Sequence, residues 1–218
     1  MKRRTLDHIF SIGGLLLAVL LLVLGLVLKS NADFAHSYVK DQLSEQKITF
    51  TKADFLSDEE KQADCLVEYA GTALDTGKKA ECYANEYINL HLAEAAEGAG
   101  YPGETYASIG AIQRQLKADL QTATDNGDPT EELQASVDAV NGLRETQFKG
   151  ETLRGLLLTS YGFSVFGDKG DLAALVCFLV AAVLLLASIA GMIHALKTPK
   201  DAIVHALAHE EPKQPVTV

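Results

Sequence analysis

Chemistry in this chain has to come from its histidines, cysteines, carboxylates and tyrosines, and they are sparse and scattered along 218 residues. The polar middle of the sequence holds two histidines, His36 and His91. His91 and Glu94 stand at i, i+3, so one helical turn would bring both to a metal, but ordinary helices carry such pairs often and no third ligand is in view. His205 and His209 are at i, i+4 and would share a face if their segment were helical. Glu210, Glu211 and Pro212 follow at once, which favours a tail over a metal site. The carboxylate pairs Glu59-Glu60 and Glu131-Glu132 fall where helices would begin, and stabilisation by the helix dipole accounts for them without acid–base work. No Gly-rich phosphate loop and no Gly-x-Ser-x-Gly elbow occurs. Tyr83, Tyr87 and Leu90 form a stripe that reads as core in preference to a ligand box. The sequence therefore assigns no catalytic, cofactor-binding or metal-ligating residue, and no cofactor.

Of three cysteines, Cys177 lies in an apolar segment, while Cys65 and Cys82 lie in the polar middle, 17 residues apart. Two thiols in an oxidising compartment usually pair. A Cys65–Cys82 bridge would clamp neighbouring helices and contribute about 3 kcal/mol through loop closure. Redox pairs favour Cys-x-x-Cys, so the spacing predicts a structural bridge.

The elements that must position these residues read as helices throughout. Phe34, Tyr38, Val39 and Leu43 predict a stalk over 32–43, continuing an apolar helix outward. Ser57-Asp58-Glu59-Glu60 is a capping box opening a helix through Leu66, Tyr69 and Leu74, with Gly77 as its stop. A second helix is predicted over 79–97, broken by the glycines and Pro102 of 98–103. Tyr106, Ile109, Ile112, Leu116 and Leu120 recur at intervals of 3, 3, 4 and 4, one face of a third helix that Asp125-Asn126-Gly127 ends. Asp128 as cap, Pro129 as first helical residue and Glu131 and Glu132 in the first turn open a fourth, with Leu133, Val137 and Val140 inward, that runs on through Phe148 toward the bilayer. The apolar stretch 153–166 is too short to span a bilayer. Its Tyr161, Phe163 and Phe166 suit either a bundle core or contact with lipid headgroups or a partner.

Two segments are of another kind. Ile9–Leu28 is 20 residues without a charge, about 30 Å of helix, and Leu172–Leu196 is 25 residues whose only strongly polar member is His194. Lys2, Arg3 and Arg4 precede the first and Lys197 and Lys200 follow the second, so both termini read as cytoplasmic. Twenty apolar residues exceed the 7–15 or so of a signal h-region, which favours an uncleaved anchor over a cleaved leader. Residues 29–171 hold 13 Lys+Arg against 25 Asp+Glu, a net of −12. That balance argues against nucleic acid and anionic lipid as partners and reads first as solubility. In the second segment Ala174, Cys177, Ala181, Ser188, Gly191 and Ala195 share one helical face, and the first offers Gly14 and Ala18. Small residues let membrane helices approach closely, either the two spans with each other or this face with another membrane protein. Neither segment has an ionisable residue at mid-depth, which weighs against a transporter or proton relay.

The stretch 83–92 (YANEYINLHL), the stretch 150–158 (GETLRGLLL) and the opening Lys2-Arg3-Arg4-Thr5-Leu6-Asp7 resemble an uncharacterised family of two-span actinobacterial membrane proteins, over nearly the whole chain. Members carry the label of aromatic ring-opening dioxygenase. Such enzymes hold iron with two histidines and a carboxylate facing the substrate, and residues 29–171 do not supply that set. The resemblance implies topology and an actinobacterial envelope, and it carries over no catalytic residue.

The sequence thus predicts an all-α protein with two transmembrane helices flanking an exported helical-bundle domain. Its segments are a cytoplasmic N-terminus 1–8, a first span 9–28, an exported domain 29–171, a second span 172–196 and a cytoplasmic tail 197–218 in a plasma membrane. The expected role is a non-enzymatic accessory or scaffold protein that joins a larger respiratory or cell-envelope complex. Its partners would be the bilayer and either another membrane protein or a second copy through the second span. The alternative is a small-molecule or lipid-binding sensor module.

Overall fold

The structure is a computed structural model that describes residues 2–200, 202 and 203. It is 80% helix, with no strand among the described residues, and two of its helices are long and apolar enough to cross a membrane. The helices are α1 (Arg3–Glu45), α2 (Asp64–Glu68), α3 (Gly77–Cys82), α4 (Asn89–Gly98), α5 (Ile109–Asn126) and α6 (Glu131–Lys197). A π-helical segment, Tyr83–Ile88, joins α3 to α4 without a break. The chain divides into two compact units, the described residues of Met1–Ala32 with Lys169–Val218, and Asp33–Asp168.

In the first unit α1 and α6 pack antiparallel along two seven-residue rows of small side chains. Ser11, Ala18, Gly25 and Ala32 are buried on α1, and Ala174, Ala181, Ser188 and Ala195 on α6. A Cβ on Gly14 would collide with Ser188 Oγ and one on Gly191 with Ser11 Oγ, so these glycines set how closely the backbones approach. A strict seven-residue repeat keeps such a seam facing its partner by left-handed supercoiling. The leucines and valines point away: Leu16, Leu20 and Leu186 are each more than 60% exposed. Polar contacts close both ends, an ion pair from Lys29 Nζ to Asp171 Oδ1 at 3.0 Å and a hydrogen bond from His194 Nδ1 to Asp7 Oδ2 at 3.0 Å.

The second unit buries one cluster formed by Val39 and Leu43 of α1, Leu66 and Leu74, Ile88 and Leu92, and Leu157 of α6. A smaller cluster joins Ala96, Ile109, Val140 and Leu143. Gln113 Nε2 bonds Asn141 Oδ1 at 2.6 Å and Arg144 Nη1 bonds Gln113 Oε1 at 2.7 Å, tying α5 to α6.

Several boundaries differ from the sequence reading. The capping box forms, with Ser57 N–H to Glu60 Oε2 at 2.7 Å and Glu60 N–H to Ser57 Oγ at 3.0 Å, but the predicted helix to Leu74 does not. It closes over a single 3₁₀ turn, Glu60–Gln62, and α2 adds five residues. Left-handed Gly71 (φ 71°) then returns the backbone to pair with 48–51, through Phe50 N–H to Thr72 O and Leu74 N–H to Ile48 O, both at 2.9 Å. The β-branched Ile48, Thr49, Thr51 and Thr72 suit that extended pairing better than a helix. Gly77 starts a helix instead of ending one, because Thr76 Oγ1 accepts from Lys79 N–H at 3.3 Å as an N-cap. The helix predicted from Tyr106 starts at Ile109, since Thr105 and Ser108 bond each other's backbone and leave Tyr106 outside.

Asp128 belongs to the end of α5, not the start of α6. Gly127 is left-handed (φ 75°) and Asp128 N–H bonds Ala123 O at 2.9 Å, a Schellman closure. Thr130, whose carbonyl accepts from Gln134 N–H at 2.8 Å, therefore replaces Asp128 as the capping position. The stretch 153–166 is no separate segment, because α6 runs through it as one helix of 67 residues. The stalk predicted over 32–43 is part of α1; beyond Ala32 it buries Ala35, Val39 and Leu43, while Phe34 and Tyr38 lie on its exposed side.

Candidate functional site

The side chains with the most chemistry gather in the second unit around the junction of α3, the π-helical segment and α4. A π turn holds more residues than an α turn, so it shifts the helical phase and brings Tyr83, Tyr87 and His91 into line in place of Tyr83, Tyr87 and Leu90. Tyr83 stacks on Tyr87 with ring centroids 4.5 Å apart, and Tyr87 lies 4.2 Å from the His91 ring. Phe50 meets the ladder edge-on, 5.3 Å from Tyr83 and 5.7 Å from Tyr69. Burial, then the neighbouring Tyr87, pushes the Tyr83 phenol up to about 12, so it stays neutral at physiological pH and cannot act as a base there.

His91 meets Glu60 and not Glu94. Its Nδ1–H donates to the Tyr87 carbonyl at 2.8 Å, which turns Nε2 toward Glu60 Oε1 at 3.9 Å. Glu60 is 5% exposed and its other oxygen is held by the capping box, so this carboxylate serves the fold as well as the ladder. Across the chain, Arg154 of α6 donates from Nε to the Ala84 carbonyl at 3.0 Å and pairs with Glu151. Gln147, buried, donates to the Leu92 carbonyl at 2.9 Å.

A cleft of about 300 Å³ opens beside this junction, lined by Glu59, Glu60, Gln62, Asn85, Glu86 and Asn89 over Leu66 and Leu90. Asn85 and Glu86 also line a second hollow, where Cys65 and Cys82 form a disulfide with Cα atoms 6.1 Å apart. The bridge links α2 to the end of α3. Among the described residues no group of three or more His, Cys, Asp or Glu is placed to hold a metal ion.

No protein-family model, curated protein or solved structure matches the chain. Its own geometry is what locates the remaining predicted residues. Gly14, Ala18, Ala174, Ala181, Ser188, Gly191 and Ala195 lie in the seam between α1 and α6, and Cys177 is a half-buried free thiol in the same unit. Ser11, Gly25 and Ala32 belong to the seam too, and the seven-residue spacing from Ala18 could have found them. Phe163 and Phe166 are exposed, but Tyr161 is turned to Lys78, whose Nζ lies 5.0 Å over its ring and 3.4 Å from its hydroxyl. His36 Nε2 faces Asp168 Oδ1 at 3.5 Å. His205 and His209 lie outside the described residues.

Proposed function

We propose that the chain is a two-pass plasma-membrane protein with cytoplasmic termini and an exported helical domain over 29–171, acting as a non-enzymatic accessory or scaffold subunit of a larger respiratory or cell-envelope complex. The observation that carries it is the α1–α6 hairpin. Two apolar helices consume their small-residue rows on each other and are clasped at one end by an ion pair and at the other by a hydrogen bond. Such a hairpin is an anchor, and each of its helices runs on unbroken into the disulfide-bridged unit. Because the seam is occupied, partner contact falls to the lipid-facing leucines and valines and to the exported domain. The lysines and arginines flanking the outer ends of the two segments support the orientation.

A second reading, a sensor binding a small molecule or lipid, is favoured by the amide- and carboxylate-lined cleft beside the π-helical turn. Purification in mild detergent followed by mass spectrometry separates the two. Membrane subunits co-purifying at fixed stoichiometry support the scaffold, and a lone monomer carrying a bound small molecule or lipid supports the sensor and contradicts the scaffold.

A further inference from the structure

We infer that Phe34, Tyr38, Phe163 and Phe166 form one aromatic face of the Asp33–Asp168 unit that seats in the phospholipid headgroup layer on the exported side. This rests on the two-pass reading proposed above. Phe34 stacks on Tyr38 at 5.6 Å and Tyr38 meets Phe163 edge-on at 6.1 Å, so residues of two helices make a single patch, and Phe166 follows Phe163 by three positions on the same helical face. Phe34 is 58% exposed and Phe166 77%. Contiguous exposed aromatics mark a surface that something covers.

The bilayer is the occupant that position selects. Phe34 stands six residues beyond Leu28 and Phe166 six before Leu172, each on a helix that continues from an apolar segment without a break. Six residues are about 9 Å of rise, which sets both Cα positions at the outer edge of an interfacial layer of roughly 5–8 Å per leaflet. Rings with one apolar and one wet side belong at the headgroup level of a bilayer. Tyr38 supplies the wet side with its hydroxyl. Lateral partners made of protein would need no such coincidence of distance on both helices.

The chain contains no tryptophan, so single substitutions report cleanly. Phe34→Trp, Phe166→Trp and Phe55→Trp are each placed in vesicles of phosphatidylcholine and phosphatidylglycerol carrying a nitroxide near the carbonyl end of the acyl chain, and Leu186→Trp in the same vesicles carrying it near the methyl end, with iodide as the aqueous quencher. Phe55, 75% exposed on the Ala53–Phe55 turn, is the aqueous reference and Leu186 the lipid one. The expected result is severalfold stronger nitroxide quenching and severalfold weaker iodide quenching at 34 and 166 than at 55. Iodide access at 34 and 166 equal to that at 55 overturns the inference. So does protection from both quenchers, which would mean that protein covers the face. If Trp at 186 also escapes the nitroxide, the two-pass reading itself falls; quenching at 186 alone removes only the headgroup seat.

Discussion

Tyr83 shows how burial sets the behaviour of a single side chain. Its phenol is raised from an ordinary 10 to about 12 because burial disfavours the anion, with Tyr87 adding to the effect. A raised acid stabilises the fold fully below the unfolded value and loses that contribution as pH climbs from about 10 to about 12, where only the unfolded chain ionises. Tyr83→Phe is expected to flatten this part of the alkaline stability loss while changing neutral-pH stability by only about 1 kcal/mol. Denaturation followed by circular dichroism between pH 8 and pH 12 checks it, and parallel curves for the two proteins would contradict it. The phenol's neighbours were only partly legible in the sequence. The Tyr83–Tyr87 spacing was visible, but His91 replaced Leu90 in the ladder because a π turn leaves no spacing signal of its own. Glu60 as the partner of His91 was hidden for a different reason: the two are 31 positions apart, and only the folded chain brings them together.

Elements were legible where local chemistry dominates and missed where pairing across the chain decides. The Ser57–Glu60 capping box formed as read, yet the helix it should open was displaced by the backbone pairing of 71–74 with 48–51. Gly77 was visible as punctuation, but its role was reversed. A Cβ there would come within 2.5 Å of Ser164 Cβ and 3.3 Å of the Tyr161 Cα, so the residue is small because α3 presses against α6. Gly77→Ala is expected to destabilise the Asp33–Asp168 unit by about 1–3 kcal/mol through overpacking, whereas Gly98→Ala, with nothing within 4 Å, should be neutral or slightly stabilising. Urea titration of both variants tests this, and equal midpoints would refute it. The seam of α1 and α6 was half seen: one face of small residues was evident on the second segment, while the matching seven-residue row on the first needed its period counted from Ser11 to Ala32.

At the scale of the whole molecule, two apolar blocks, their flanking cations and an acidic stretch between them are properties of composition. They were readable because membrane insertion depends on length and charge, not on tertiary detail. What the charge pattern leaves open is which compartment holds Cys65 and Cys82, and the central claim turns on it. Spheroplasts treated with a membrane-impermeant maleimide give the direct answer. The account predicts no labelling of intact spheroplasts without reductant, and labelling of Cys65 and Cys82 after a membrane-impermeant phosphine, with Cys177 unmodified throughout. Labelling without reductant, or only after the membrane is lysed, would contradict it.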